Sequence, residues 1–282
     1  MTVKSSSKYM RLAFFEARLF WLGRASRKDM ADYLGISLER ASAAIREYVK
    51  LAPDNAHYDP SDKVYKPTKD FKPMIINPIP DQVLGHLLLD DGFLSPMPEM
   101  MRLPVPKRAI PTDILRTLLS TMADDQSIDI LYRSMSSPEP TWRRITPHAF
   151  GHDGFRWHVR AYCSLRGEFR DFVLGRIVET GDRGYSKIEG QIDEKWDEIL
   201  FVRIGPHPDL NENQRAAIEM DYGMEDGEAV FEVRRAMLFY VLKQLGLHRT
   251  EEEQKKMEIP AYEQQVVLLN TGLLKLIRPD LV

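Results

Sequence analysis

The chain has 282 residues and a formal net charge of −3, and 43% of its residues are hydrophobic, which suits two or three small cores rather than one. No apolar run approaches the ~20 residues needed to cross a bilayer, and the first residues are too polar for a secretory signal, so a cytoplasmic protein without a membrane partner is expected. The single cysteine, Cys163, excludes an intrachain disulfide and any multi-cysteine metal site.

Residues 8–22 read as an amphipathic, aromatic-rich helix. Ser26 then caps a second helix, with Asp29 three residues on completing a capping-box pattern. That helix carries Met30, Ala31 and Leu34 on one face. Gly35 supplies the left-handed residue of a tight turn, Ile36 points inward, and Ser37 caps a third helix that buries Ala41, Ile45 and Val49. The small residues Ala31 and Ala41 let two helices cross closely, the pattern of a helix-turn-helix. The outer face of the third helix shows Arg40, Ala43, Arg46 and Lys50, where short side chains permit close approach to DNA and arginines reach base edges or phosphates. An ordinary helical hairpin with a solvated basic face is the plainer alternative. His57-Tyr58, a turn over residues 59–62 and Lys63-Val64-Tyr65-Lys66 suggest a hairpin wing, against a solvated loop. The candidate DNA-contacting set is Arg27, Lys28, Ser37, Arg40, Ser42, Ala43, Arg46, Lys50, Lys63 and Lys66. Residues 1–72 hold 14 basic and 9 acidic side chains, a net of +5, which leaves −8 on residues 73–282. A basic N-terminal module on an acidic body places a polyanion partner at one end.

The next stretch is rich in proline. A helix is expected over Asp81–Asp90, and Pro96–Pro111 reads as an extended connector in which Met97, Met100 and Met101 serve as flexible packing. A helix capped by Thr112 follows, over Thr112–Met122. Strand-like pieces at 128–134, 142–147, 155–163 and 169–177 suggest a small barrel or strongly bent sheet. Between Ile128 and Arg176 there are eight arginines and no lysine. Arginine alone suits forked recognition of phosphate or carboxylate. In the strand 155–163, alternation puts Phe155, Trp157, Val159, Ala161 and Cys163 on a core face. Arg156, His158, Arg160 and Tyr162 fall on the other, which reads as a polar binding floor or as a solvated face. After Leu200 a strand, a helix, a strand and the apolar helix Met237–Leu247 form a compact α+β module.

The segments Ile130-Leu131-Tyr132, Arg144-Ile145-Thr146-Pro147, Arg156 to Tyr162 and Phe169 to Ile177 together resemble a WYL domain, with Trp157-His158-Val159 at the family's Trp-Tyr-Leu run. The resemblance extends over nearly the whole chain in order. It implies an Sm-like β-barrel that senses ligands in bacterial regulators, behind a winged helix-turn-helix and before an extension that helps dimerisation. The long linker and the extension are similar to repressors of phage-defence islands of the BREX and CBASS types. The pocket implied by the resemblance uses Tyr132, Ser134, Arg144, His158, Arg160, Arg170 and Arg176.

Enzymatic signatures are weak. There is no Gly-rich phosphate loop, no His-Glu-x-x-His and no Gly-x-Ser-x-Gly. His207 sits in a proline-flanked turn, His248 lies near solvated glutamates, Asp90-Asp91 marks a helix end, and Cys163 reads as a buried hydrophobe. The expected fold class is α+β and multidomain: a winged helix-turn-helix (1–72), a helical and proline-rich linker (73–125), an Sm/SH3-like WYL β-barrel (126–192) and a small α+β C-terminal dimerisation extension (193–282). The expected function is a homodimeric repressor on an inverted-repeat operator in double-stranded DNA. It needs no cofactor and is controlled by a nucleotide or oligonucleotide effector at the WYL domain. A nucleotide- or RNA-processing enzyme using the arginine sheet is the rival, and a scaffold protein the third reading.

Overall fold

The computed structural model describes residues 8–89, 108–185 and 191–277. Asp90-Asp91, Met97, Met100, Met101 and most of the Pro96–Pro111 connector lie outside them. The chain divides into two compact units, Met1–Val105 and Pro106–Val282.

The first unit starts with helix α1 (Lys8–Leu22), followed by α2 (Arg27–Leu34) and α3 (Leu38–Leu51). The Ser26 hydroxyl accepts from the Asp29 amide, and the Asp29 carboxylate accepts from the Ser26 amide at 2.9 Å, so the expected capping box is formed. Gly35 ends α2 at φ +64°, a conformation that costs a residue with a Cβ. Ser37 then caps α3 through the Arg40 amide. Ala41, Ala44, Ile45 and Tyr48 are buried on α3 against Phe14, Phe15, Leu19, Met30 and Leu34, while Val49 is only half-buried. Ala44 and Tyr48 are the inward residues that the i, i+4, i+8 count passes over. The wing exists: β1 (Ala56–Asp59) pairs antiparallel with β2 (Val64–Pro67). Tyr65 of β2 exchanges both backbone hydrogen bonds with Ala25, just before α2, which ties the hairpin to the helix pair. A further helix, α4 (Pro80–Leu89), matches the expected Asp81–Asp90 element.

A buried carboxylate holds this unit together. Glu16 is fully buried on α1. It accepts from the Tyr48 hydroxyl of α3 at 2.9 Å and from the amides of Met74, Ile75 and Ile76 at 3.0, 2.7 and 2.8 Å. Asn55 extends the network, donating to the Tyr48 hydroxyl and to the Lys72 carbonyl and accepting from the Lys72 amide. Burial, against the hydrogen bond from Asn55, pushes the Tyr48 phenol up, so it stays a proton donor to Glu16.

The second unit has two cores. Helix α5 (Thr112–Ala123) packs on a five-stranded antiparallel sheet of β3 (Gln126–Tyr132), β4 (Thr141–His152), β5 (Trp157–Cys163), β6 (Glu168–Val173) and β7 (Ile177–Tyr185). Thr112 is the first helical residue and not the cap. Pro111 occupies the cap position and offers no side-chain acceptor, a loss softened because proline's fixed φ suits the entry. Ile114 and Leu118 pack with Ile128, Ile130, Ile145, Val159, Ala161 and Cys163. The strand order is β6-β5-β4-β3-β7 with register shifts in β3–β7 and β4–β5. Such shifts bend a sheet. The pairing leaves β6 and β7 as edges, so the sheet is open where a closed barrel was expected. Phe155 and Trp157 also depart from the expected core face and are 62% and 46% exposed. Asp153 closes an Asx turn over residues 153–156 by accepting from the Phe155 and Arg156 amides, so strand alternation begins only at Trp157.

The C-terminal module follows: α6 (Glu194–Asp197), β8 (Ile199–Pro206), α7 (Glu212–Asp221), β9 (Ala229–Arg234), α8 (Leu238–Gln244), α9 (Glu251–Met257), β10 (Val266–Leu268) and α10 (Leu274–Ile277). Its sheet has the order β10-β8-β9, and Val202, Ile204, Val233, Leu238, Leu242 and Val266 form the core.

Removing the Glu16 carboxylate strands three amides and a hydroxyl. Hydrogen bonds to a charged group each contribute ~1.5–3 kcal/mol, offset in part by water entering the space. Glu16→Ala is expected to cost about 3 kcal/mol of stability and Tyr48→Phe about 1 kcal/mol in urea unfolding. A smaller cost for Glu16→Ala than for Tyr48→Phe would mean that the carboxylate is not the anchor.

Candidate nucleic-acid interface and sheet face

In the first unit, Arg27, Lys28, Ser37, Arg40, Ala43, Arg46, Lys50 and Lys63 are all exposed, and Ser42 and Lys66 are half-buried. A groove of about 380 Å³ gathers Arg27 of α2, Ser42 and Arg46 of α3, and Lys63 of the wing turn. Sequence reasoning missed its aromatic member, Tyr58, which is 52% exposed with its ring 5.1 Å from that of Tyr65. The signal was present in the β-prone His57-Tyr58 pair. The two wing lysines differ. Lys63 sits at the turn with φ +56°, whereas the Lys66 ammonium is held by Asp59 and Asp62 at 2.7 and 2.6 Å. The hydroxyl of Ser37 caps α3. Three elements thus present separate cations around one concave surface, a geometry suited to a phosphate backbone.

In the second unit, the seven residues implied by the resemblance do not share one face. By register, Arg160 opposes Asp171 and Arg170 opposes the core residue Ala161. Arg170 is exposed and pairs with Glu168. Tyr132 is buried edge-on against Phe172, and its hydroxyl accepts from the Val173 amide. Ser134 shares a hydrogen bond with Ser136. Arg144 is tied to Asp129 at 2.6 Å and to the Asp182 carbonyl.

His158 and Arg160 do share a face, but that face is covered rather than open. Arg160 is 5% exposed. It donates through two nitrogens to both oxygens of Asp193, at 2.7 and 3.0 Å, and through a third to Asp171. His148 completes the surround of Asp193, and the Tyr240 hydroxyl of α8 donates to Asp171. The His158 ring lies 4.8 Å from that of Tyr240 and 2.9 Å from the Asp153 carboxylate. The Met237 side chain packs closely over Gly151, where a Cβ would lie 2.8 Å from its sulfur. The network therefore joins the sheet to the C-terminal module. Sequence reasoning missed Asp153, Asp171 and Asp193. Only Asp171 had a signal, its position beside the quoted arginine.

Burial alone would push Asp153 up, but hydrogen bonds from His158, from the amides of Phe155 and Arg156 and from the Arg156 side chain hold it well below the usual carboxylate range. Burial is likewise outweighed at Asp193 by Arg160 and His148, which hold it low. Carboxylates whose folded pKa is depressed contribute stability above their unfolded value of about 3.9, and that stability is lost as pH falls through the folded pKa. Unfolding free energy followed from pH 7 to pH 3 is expected to drop below about pH 4. Asp153→Asn should be less stable at pH 7 and flatter below it; an equally steep acid limb in that variant would sink the assignment.

Comparison with known proteins covers the chain in three stretches. Residues 7–88 match the BrxR transcriptional regulator winged helix-turn-helix domain, residues 113–180 match the WYL domain, and residues 199–274 match the BrxR transcriptional regulator C-terminal dimerization domain. The DNA-binding transcriptional repressor CapW of Escherichia coli (strain KTE188) is 38% identical over 255 residues, covering 86% of this chain and 84% of that protein. CapW of Stenotrophomonas maltophilia is 36% identical over 274 residues, covering 94% and 90%, and CapW of Pseudomonas aeruginosa 37% over 253 residues, covering 87% and 85%. Among solved structures, the proteasome accessory factor B/C (PafBC) of Arthrobacter aurescens aligns at 16% identity and a TM-score of 0.26, with 96% of this chain spanning 47% of that one. With the three domain matches in order and more than a third of residues shared with CapW over most of both chains, the chain belongs to the family of winged-helix, WYL-domain transcriptional regulators that includes CapW.

Proposed function

We propose that this chain is a homodimeric transcriptional repressor that binds an inverted repeat in double-stranded DNA. The observation that carries the reading is the groove in which α2, α3 and the wing present Arg27, Arg46 and Lys63 together. The naming of the relatives as DNA-binding transcriptional repressors supports it, as does the dimerization domain matched at residues 199–274. One winged helix reads few base pairs, and a two-fold dimer on two half-sites is the usual route to useful affinity. The DNA-contacting set is Arg27, Lys28, Ser37, Arg40, Ser42, Ala43, Arg46, Lys50, Lys63 and Lys66, to which the groove adds Tyr58. The working domain division is 1–72, 73–125, 126–192 and 193–282, and the middle sheet follows the plan of an Sm-like barrel in its bent, five-stranded antiparallel order. A nucleotide or oligonucleotide effector acts at the WYL domain, where Arg144, Arg170 and Arg176 remain reachable from solvent. The regulated genes are a phage-defence operon, the role that the resemblance implies. A cytoplasmic setting fits a DNA-binding role, and no helix among the described residues is long and apolar enough to cross a membrane.

A gel shift with the chain's own upstream DNA tests the reading. An arginine that contacts a guanine contributes ~1–3 kcal/mol of discrimination, so Arg40→Ala plus Arg46→Ala should weaken operator binding by at least tenfold. Lys63→Ala should flatten the salt dependence by about one phosphate contact. Unchanged operator affinity in the double variant would overturn the recognition-helix assignment. Light scattering at micromolar concentration should return a dimer, and a monomer that still binds operator fully would count against the two-fold arrangement.

A further inference from the structure

We infer that Glu39, at the start of α3, reads a cytosine in each half of the operator, and that Leu38 beside it reads a neighbouring thymine methyl. The inference rests on the repressor reading above and names bases that the operator has to contain. At about 3.6 residues per turn, Glu39, Ala43, Arg46 and Lys50 form one stripe along α3. All four are exposed, and the stripe lies opposite the buried Ala41, Ala44, Ile45 and Tyr48. Ser42 and Arg46 line the groove with Arg27 and Lys63, which marks this side of α3 as the one turned toward a duplex. Leu38 stands four residues before Ser42 on the flank nearest the groove, and it is 45% exposed although its side chain is large and apolar.

The outward stripe therefore begins with an acid, set among the cations of α2, α3 and the wing turn. Helix α3 carries two glutamates. Glu47 pairs with Lys8 of α1, whereas Glu39 forms no ion pair among the described residues. Arg27 is close enough for its charge to be felt at Glu39 without forming such a pair. The Ser37 hydroxyl and the Glu39 amide donate to the Glu39 carboxyl and hold it below its ordinary range. The group is therefore ionised at neutral pH and can only accept hydrogen bonds.

An acceptor at this place selects its partner. Phosphates repel a carboxylate, so Glu39 gains nothing from the DNA backbone. In a helix-turn-helix the N-terminal residues of the recognition helix are the ones that meet base edges in the major groove. There a carboxylate accepts from the N4 amino group of cytosine. Ala43, one turn further along the stripe, is short enough to let the helix come close. Thymine alone offers a methyl group in the major groove, so an exposed leucine next to the acid has one apolar surface to cover. An acid in the first turn also suits the positive end of the helix. That benefit carries no base preference, so base preference is what separates the two roles.

The test uses the full chain and selects binding sites from a randomised DNA duplex. Wild type is expected to enrich an inverted repeat in which one position of each half-site is cytosine with a thymine beside it. Glu39→Gln keeps the side chain's size but turns one acceptor into a donor, the pattern that matches adenine. The selected base at that position is expected to change from cytosine to adenine, with a preference of ~10-fold or more, about the factor one bidentate base contact supplies. Glu39→Ala should lose the preference at that position alone and should bind unrelated DNA more tightly, since a carboxylate repelled by phosphates is gone. Replacing the neighbouring thymine by uracil removes only the methyl group. Wild type should bind the uracil duplex less tightly, and Leu38→Ala should bind both duplexes equally. An enriched site whose bases are unmoved by Glu39→Gln overturns the reading of the acid. So does a Glu39→Ala chain that binds every sequence more weakly by the same factor, the mark of a helix-start role. Equal binding of the two duplexes by wild type overturns the part given to Leu38. A wild type that enriches no sequence at all overturns the repressor reading along with this one, so the two failures give different results.

Discussion

The bidentate pair between Arg160 and Asp193 is the constraint around which the second unit is arranged. A guanidinium that is 5% exposed must be matched by fixed acceptors, because an unpaired buried charge costs several kcal/mol. Asp193 supplies two oxygens and Asp171 a third contact. Asp193 also caps α6 through the Trp196 amide, and Asp171 is reached by Tyr240 of α8. Satisfying one arginine of β5 therefore fixes where two elements of the C-terminal module meet the sheet. It also decides which arginines remain available. Arg160 is matched in full by two aspartates, whereas Arg144 and Arg170 each hold one carboxylate at a partly exposed position, and among the described residues no side-chain hydrogen bond or ion pair engages Arg176.

The first unit solves the same problem with the opposite sign. Glu16 is a buried carboxylate matched by three successive amides and a phenol. Those amides belong to residues 74–76, just past the wing, and the phenol belongs to α3. The helix expected to enter the major groove and the start of the segment leading to α4 are thus held by one side chain. Hydrogen bonds of this kind are directional, so the position of α3 and the path of residues 72–76 are set together rather than separately.

The legibility of the sequence follows this division. Local chemistry was readable: the Ser26–Asp29 capping box, the left-handed Gly35, the Ser37 cap and the hairpin wing all form at the expected residues. Each depends on neighbours a few positions away. Periodicity located the C-terminal strand–helix–strand–helix order but passed over β7 and β10, short of apolar alternation in the one case and only three residues long in the other. At Phe155 the alternation rule failed because an Asx turn holds that residue outside the strand, which begins at Trp157. The arginine-rich stretch was recognised as unusual, yet its partners were not. Asp153, Asp171 and Asp193 reach β5 from different distances along the chain, and no local pattern says that a carboxylate 33 residues away will neutralise Arg160. Glu16 was hidden for a similar reason, since its partners are 32 and 58–60 residues distant.

Long-range charge pairing also bears on regulation. An effector changes operator affinity only by binding one arrangement of the molecule more tightly than another, and a 100-fold difference in operator affinity demands about 2.7 kcal/mol of such preference. The Arg160 network is poorly suited to provide it, because its charges are already matched and a ligand entering there has to replace good hydrogen bonds. Unpaired arginines are better placed, since they gain most from an anion and lose least.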